Sequence, residues 1–312
     1  METHDHPVAS GRSERDCPSV LSRREQACWV CGSRGLTLVR QSGIMGAISS
    51  ADFAITDSRY GVTGALHRCP TCGFVQCDEL TRVVRFYEAS EDQAYEAGRE
   101  QRVLQARRLL DIVAHHVPRG RLVDIGAGTG MLVQAASEMG YEAEGVEPSR
   151  WMSQRARDLG LKVYTGAYPH EAIRRGFDVV TLIDVIEHVE HPVDLLRHVA
   201  SELAEDGVGL VVTPDLRSVA ARLMGPRWWH FRVAHIGYFD RRTLLLALDR
   251  AGLVAVETGR PGWYFRADYL VARVNRYLPR VLRLPTMRFL RHLTVPLNLR
   301  DSLYVVFRKK SK

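Results

Sequence analysis

Residues 119–312 read as an α/β domain on a seven-stranded, doubly wound sheet, preceded by a small cysteine-rich module at 25–80 and a helical connector at 81–118. Three observations predict this organisation. Strands alternate with helices from Arg119 onward, a short apolar strand runs into a glycine turn at 122–130, and two C-x-x-C-G turns stand near the amino end. A basic helical insertion is expected at 260–300, ahead of the last strand.

Apolar runs bounded by turn residues place strands at 121–125, 142–147, 162–166, 178–183, 208–213, 253–259 and 302–308. Helical periodicity fills 129–139, 149–159, 192–204, 215–223 and 240–251, the last opened by Asp240 as its N-cap. Such alternation predicts a parallel sheet covered by helices on both faces. Ligands of these sheets gather at strand carboxyl ends, near the point where strand order reverses. Asp124, Glu147, Ala167 and Asp184 all fall at expected strand ends, so they should ring one crevice.

The run Leu122-Val123-Asp124-Ile125-Gly126-Ala127-Gly128-Thr129-Gly130 sets glycines at alternate positions behind a carboxylate, and a helix pattern begins at Met131. Glycines here let backbone N–H groups and a helix N-terminus approach a ligand. A dinucleotide fingerprint is G-x-G-x-x-G, with a pyrophosphate on the helix. This chain instead has G-x-G-x-G behind Asp124, and a carboxylate disfavours a phosphate. It suits an ammonium group, such as the methionine end of S-adenosylmethionine. Glu147, 23 residues later and followed by Pro148, is placed to accept hydrogen bonds from ribose hydroxyls.

In order and spacing these residues resemble the class I S-adenosylmethionine-dependent methyltransferases, over roughly 95–260. The resemblance implies a Rossmann-like fold with seven strands and methyl-transfer activity. It also implies a donor site at Asp124, Gly126, Ala127, Gly128, Glu147, Pro148, Ala167 and Asp184. The connector, with Phe86, Tyr87 and Tyr95, lies where the family often covers the cofactor with an aromatic ring.

Cys28-Trp29-Val30-Cys31-Gly32 and Cys69-Pro70-Thr71-Cys72-Gly73 place four thiolates on two tight turns. Cys28, Cys31, Cys69 and Cys72 make a closed tetrahedral set with no position left for water or substrate, so structural zinc is the expected metal. Cys77 reads as a buried apolar residue. A 37-residue insert, Gly32 to Arg68, separates the knuckles and has room for a small hairpin. Such a module ahead of a methyltransferase domain resembles an arrangement in bacterial enzymes of sugar, glycan and secondary-metabolite pathways.

Methyl transfer from a sulfonium needs positioning above all, whereas a hydroxyl or carbon acceptor must also lose a proton. Asp184-Val185-Ile186-Glu187-His188 follows the fourth strand, and positions i, i+3 and i+4 share one helical face. The run resembles the E-x-x-E-H motif of small-RNA 2′-O-methyltransferases and ubiquinone-pathway O-methyltransferases, where a later histidine completes a divalent-ion site. His235 is the candidate for that histidine, and Asp184 stands where the motif has glutamate. Three roles stay open: a divalent ion at Asp184, Glu187, His188 and His235; His188 or His235 as proton acceptor; or a structural part. His191 and His170 are weaker candidates. Trp228-Trp229-His230-Phe231 suits either an acceptor pocket or the core.

Composition supplies 46% apolar residues, ample for a core, and a net charge of +7. Residues 260–312 hold 13 Lys or Arg against Asp268 and Asp301, a net of +11, which leaves −4 for residues 1–259. Arg273, Arg276, Arg280 and Arg283 recur at helical spacing opposite Leu270, Val274, Leu278 and Val281, with breaks at Pro279 and Pro285. Three readings fit this basic helix: a lid with a solvated face, peripheral membrane contact through 264–292, or a phosphate-binding surface. Residues 1–24 are expected to be disordered, with Cys17 idle. No apolar leader or bilayer-long stretch is read, which predicts a cytoplasmic enzyme, with the inner membrane face as a site of contact. The expected acceptor is a small molecule, a glycan or a lipid-linked sugar, with no obligate protein partner. RNA is the alternative, disfavoured because residues 26–80 lack dense Arg and Lys and no N-P-P-Y-type motif follows the fourth strand.

Overall fold

The computed structural model describes residues 26–56, 59–285 and 287–311. The expected disorder of residues 1–24, with Cys17, lies outside the described residues. The first strands among the described residues are β1 (Thr37–Arg40), β2 (Leu66–Arg68) and β3 (Val75–Gln76), an antiparallel meander; β1 and β2 pair across a long connection, where a small hairpin was expected between the knuckles. The connector carries α1 (Val84–Glu88), α2 (Gln93–Glu96) and α3 (Arg99–Ala114). Then come β4 (Arg121–Ile125), α4 (Met131–Glu138), β5 (Glu142–Glu147), α5 (Arg150–Asp158) and β6 (Val163–Thr165). The alternation continues through β7 (Phe177–Ile183), α6 (Pro192–Glu202), β8 (Leu203–Pro214), α7 (Val219–Met224), β9 (Gly237–Tyr238), α8 (Arg241–Arg250) and β10 (Leu253–Gly259). A hairpin of β11 (Trp263–Arg266) and β12 (Thr294–Leu297) encloses α9 (Ala267–Asn275), and β13 (Ser302–Lys309) closes the chain.

The main sheet has seven strands in the order β10-β13-β8-β7-β4-β5-β6. β4, β5, β6, β7 and β8 pair in parallel, while β13 runs antiparallel to both β8 and β10. The expected all-parallel sheet is therefore mixed, because the last strand returns through the insertion and enters from the opposite end. Period-two alternation sorts side chains between two cores. Val123, Val180, Val211, Val305 and Phe307 face α6 and α8, whereas Leu122, Val179, Leu210, Val212 and Val306 face α3 and α4. Caps agree with the sequence: the Asp240 carboxylate accepts from Thr243 N–H at 2.8 Å while Asp240 N–H donates to the Thr243 hydroxyl at 2.9 Å, closing a capping box on α8.

Two departures matter for the site. β9 leaves the main domain and pairs with β3, Val75 against Tyr238 and Gln76 against Gly237, so the cysteine module shares a sheet with the segment following His235. The basic helix, expected to break at Pro279, ends already at Asn275, because Pro279 supplies no helical N–H and its ring obstructs the preceding turn. Beyond it the chain makes single 3₁₀ turns at Arg280–Leu282 and Arg288–His292.

Candidate active site

Strand order reverses between β4 and β7, and it is at the carboxyl ends of strands at such a point that ligands of these sheets gather. Gly126 and Gly128 have φ of 75° and 55°, conformations that L side chains rarely adopt. Space is equally restrictive there: a Cβ on Gly126 would lie 2.6 Å from a Val185 methyl, and one on Gly128 would lie 3.0 Å from the Tyr95 hydroxyl. Tyr95, carried by α2, thus roofs the glycine turn, and the Arg102 guanidinium lies 4.1 Å from its ring centroid.

Two buried carboxylates floor this cradle. Asp124 accepts from the Thr181 hydroxyl at 2.6 Å. Glu147 accepts from Gly128 N–H at 2.8 Å through one oxygen and from Ser149 N–H at 2.7 Å through the other. Burial pushes both carboxyls up to about 7, and for Asp124 the nearby Glu147 charge adds to the rise. Each carboxylate keeps further lone pairs for a ligand, and a cation bound here would relieve both.

The second group lies on the chain directly after β7. Asp184 adopts a left-handed φ of 52°, and Ile186–His188 then makes a 3₁₀ turn. Glu187 is buried; one carboxylate oxygen accepts from the Thr213 hydroxyl at 2.9 Å, and Oε1 has no hydrogen-bond partner. His188 Nδ1 lies 2.7 Å from the Ala234 carbonyl oxygen, which can only accept, so the proton is assigned to Nδ1 and Nε2 is left as a lone-pair site. The Tyr87 hydroxyl is 2.6 Å from the same Nδ1. Burial pulls the His188 ring down to about 4, which keeps it neutral near pH 7. His235 stands edge-on to His188 with ring centroids 4.8 Å apart, and its Nδ1 is buried without a partner. Donor atoms of Glu187, His188 and His235 lie within 4.8 Å of one another, close enough to converge on one ion.

His235 is held by both sides of the molecule. Ile236 N–H donates to the Glu187 carbonyl at 2.9 Å, and the Ile236 carbonyl accepts from Cys77 N–H at 2.8 Å. The cysteine module is thereby tied to the histidine through one residue. Within that module Cys28 and Cys72 sulfurs are 3.6 Å apart, and Cys31 and Cys69 sulfurs 3.4 Å apart. A tetrahedron of Zn–S bonds near 2.3 Å has S···S edges of about 3.8 Å, so the four sulfurs fit a zinc ion with little adjustment. Cys77 is fully buried and stands outside the group.

A family model described as a methyltransferase domain matches residues 95–258, over half of the chain. The chain belongs to this family. A ubiquinone biosynthesis O-methyltransferase of Caulobacter sp. (strain K31) is 31% identical over 118 residues, 35% of this chain and 47% of that protein. One of Methylococcus capsulatus is 31% identical over 126 residues, 38% of this chain and 53% of that protein. This chain spans about half the length of the curated relatives it matches. A Thermotoga maritima structure described as a SAM-dependent methyltransferase, possible histamine N-methyltransferase, superposes with a TM-score of 0.46 at 19% identity, covering 73% of this chain and 97% of that one.

Within this methyltransferase domain, the residues expected at the donor site distribute as follows. Asp124, Gly126, Ala127, Gly128 and Glu147 cluster at the cradle floor, with Pro148 half-buried beside them. Ala167 is exposed two residues beyond β6. Asp184 is at the crevice but outside the Glu187, His188 and His235 cluster, contrary to the expected four-residue set. The reason is local: a left-handed residue followed by a 3₁₀ turn breaks the i, i+3, i+4 face on which that set depended. His170 and His191 also stand outside the cluster. Trp228 is fully buried in the core with Phe53 and Leu66, whereas Trp229 Nε1 donates to Asp301 at 2.8 Å and His230 Nε2 lies 3.2 Å from the same oxygen. Sequence reasoning missed Thr181, Thr213 and Asp301, whose partners are 57 or more, 26 and 71 or more positions away.

Proposed function

We propose that the protein transfers the methyl group of S-adenosylmethionine to a hydroxyl, or an acidic carbon, of a small-molecule, glycan or lipid-linked acceptor. The observation that carries this reading is the meeting of Glu187 and His188, on the turn after β7, with His235 from the segment before β9, on a chain whose Val185 packs against Gly126 of the cradle. In the proposed reaction the acceptor oxygen bonds to the methyl carbon as the carbon–sulfur bond breaks, and S-adenosylhomocysteine leaves. Asp124 holds the ammonium of the donor, Glu147 accepts from its ribose hydroxyls, and Tyr95 excludes water from above. His188, neutral with Nε2 unprotonated, accepts the acceptor proton, and Glu187 orients and balances the charge that develops.

Relatives named as O-methyltransferases support oxygen over carbon. The same three side chains also favour a second way of activating the hydroxyl. The unpartnered Glu187 Oε1 and His235 Nδ1 fit a divalent ion, which would supply Lewis-acid lowering of the hydroxyl pKa. In that case these residues hold and orient rather than take the proton.

Titration calorimetry with S-adenosylmethionine, followed by S-adenosylhomocysteine release with phenolic, catecholic and sugar acceptors before and after chelation, tests both levels. Donor binding with acceptor-dependent release supports the reading, and absence of donor affinity sinks it. Loss of release on chelation, restored by Mg²⁺, selects the ion. For the cysteine module we assign structural zinc, with about one zinc per chain expected by plasma mass spectrometry; a zinc-free, fully folded protein would exclude it.

A further inference from the structure

Among the described residues, no helix is long and apolar enough to cross a membrane, yet one surface combines charge and apolar exposure. Between Asn275 and Arg300 the chain carries Arg276, Arg280, Arg283, Arg288, Arg291 and Arg300 and no Asp or Glu, a net of +6. In the same stretch Val281 is 90% exposed, Phe289 63%, Leu282 61%, Leu293 51% and Met287 50%. Isolated exposed apolar residues are ordinary, but a run of them interleaved with arginine is not.

This exposure is built into an anchored platform. The Asn275 side chain ties the segment into a loop, its amide donating to the Leu284 carbonyl at 2.9 Å and its oxygen accepting from Leu284 N–H at 2.8 Å. Tyr277 stacks on Tyr60 of the cysteine module at 6.1 Å between centroids. β11 and β12 pair over four positions, and the hairpin is held to α3 by Gln101 to Thr294 at 3.0 Å and Arg108 to Tyr264 at 3.0 Å. The loop between these anchors therefore presents its apolar side chains outward by construction.

Three occupants would meet this surface differently. A second copy facing it symmetrically brings +6 against +6. A nucleic acid offers phosphates for the arginines but no apolar phase for Val281, Leu282 and Phe289. An anionic bilayer offers both, phosphates at the headgroup level and acyl chains just beneath. We propose that residues 276–285 and 287–293 dock the protein on an anionic membrane surface, with Val281, Leu282 and Phe289 entering the headgroup–acyl boundary and Arg280, Arg283 and Arg288 held at the phosphates. This assignment does not depend on the methyl-transfer reading.

Flotation of the full chain with phosphatidylcholine vesicles, with or without phosphatidylglycerol, tests it. The protein is expected to float with the anionic vesicles alone, and less as salt rises. The double variant V281D/F289D should stay at the bottom. The triple variant R280Q/R283Q/R288Q should weaken binding by roughly a hundredfold, about fivefold per arginine. Melting temperatures of both variants should match the parent, because every altered side chain is exposed. Three results overturn the proposal: no flotation with anionic vesicles, flotation unchanged in both variants, or retention of an RNA fragment or of a dimer through this face with vesicles ignored.

Discussion

Asp124 and Glu147 end two adjacent parallel strands; Thr181 engages one oxygen of Asp124, and Gly128 and Ser149 engage both oxygens of Glu147. Glu187, four residues beyond the end of β7, is buried as deeply, and its Oε1 is enclosed without a partner, as is the Nδ1 of nearby His235. One region sets two buried acids against backbone N–H groups and a hydroxyl, where a bound cation would relieve their burial. The other is unfinished polar chemistry held in apolar surroundings, a costly arrangement for stability. Such a cost is typical where a group must remain available to a reacting partner. Under the proposed function, the first region binds the donor and the second supports turnover.

The largest expected effects come from the unfinished region. Glu187→Gln and His188→Ala should each lower turnover by about 10²–10⁴-fold with donor affinity unchanged, read by single-turnover kinetics beside calorimetry. Should either variant lose donor binding instead, the division between the two regions fails. Next are the cradle acids: Asp124→Asn and Glu147→Ala should weaken S-adenosylmethionine binding roughly 10- to 100-fold, the worth of one or two charge-assisted hydrogen bonds. Turnover at saturating donor should fall less than affinity does.

Acidity sharpens the same comparison. Burial raises the Asp124 and Glu147 carboxyls to about 7, above their ordinary values, so the folded chain binds their protons more tightly than the unfolded chain does. Their contribution to stability is therefore complete below the ordinary carboxylate range and is lost as pH rises to 7 and beyond. A cationic donor prefers the ionised acids, so its affinity should fall as pH drops below about 7, by up to tenfold per unit for each group, and level off above. Thermal melts with and without donor at about pH 5.5 and pH 8 check this: the donor-induced rise should be larger at the higher pH. A rise independent of pH would mean that the cradle acids do not face the donor's charge.

The cradle was legible in the sequence because each of its parts is local. A strand, a glycine turn and a terminal acid are contiguous at 121–130, and the same holds at 142–148, so periodicity and spacing suffice. β4, β5 and β10 accordingly begin and end where expected. Glu187, His188 and His235 were identifiable as residue types, but their convergence depends on a left-handed Asp184 and a 3₁₀ turn that no periodicity announces. β9 is two residues long and earns its place by pairing with β3, some 160 positions earlier. The β11–β12 hairpin escaped for a related reason: its four-residue strands are far apart in sequence, with a helix between them in place of a turn signal.

The smallest effect tests how the two regions are joined. Tyr87 belongs to α1 of the connector, and its hydroxyl lies 2.6 Å from His188 Nδ1, opposite the face that Nε2 presents. Its phenol ring is also stacked edge-on to Phe53 at 5.3 Å, so the side chain is fixed by packing whether or not the hydroxyl is present. Tyr87→Phe therefore removes one hydrogen-bond contact while leaving the ring in place. If that contact helps hold the tautomer with Nε2 unprotonated, turnover should fall about fivefold, the equivalent of one neutral hydrogen bond, with the pH dependence of turnover displaced and donor affinity untouched. An unaltered rate and profile would leave the Ala234 carbonyl as the group that fixes the imidazole, and would confine the connector's part in the site to the Tyr95 roof over the donor.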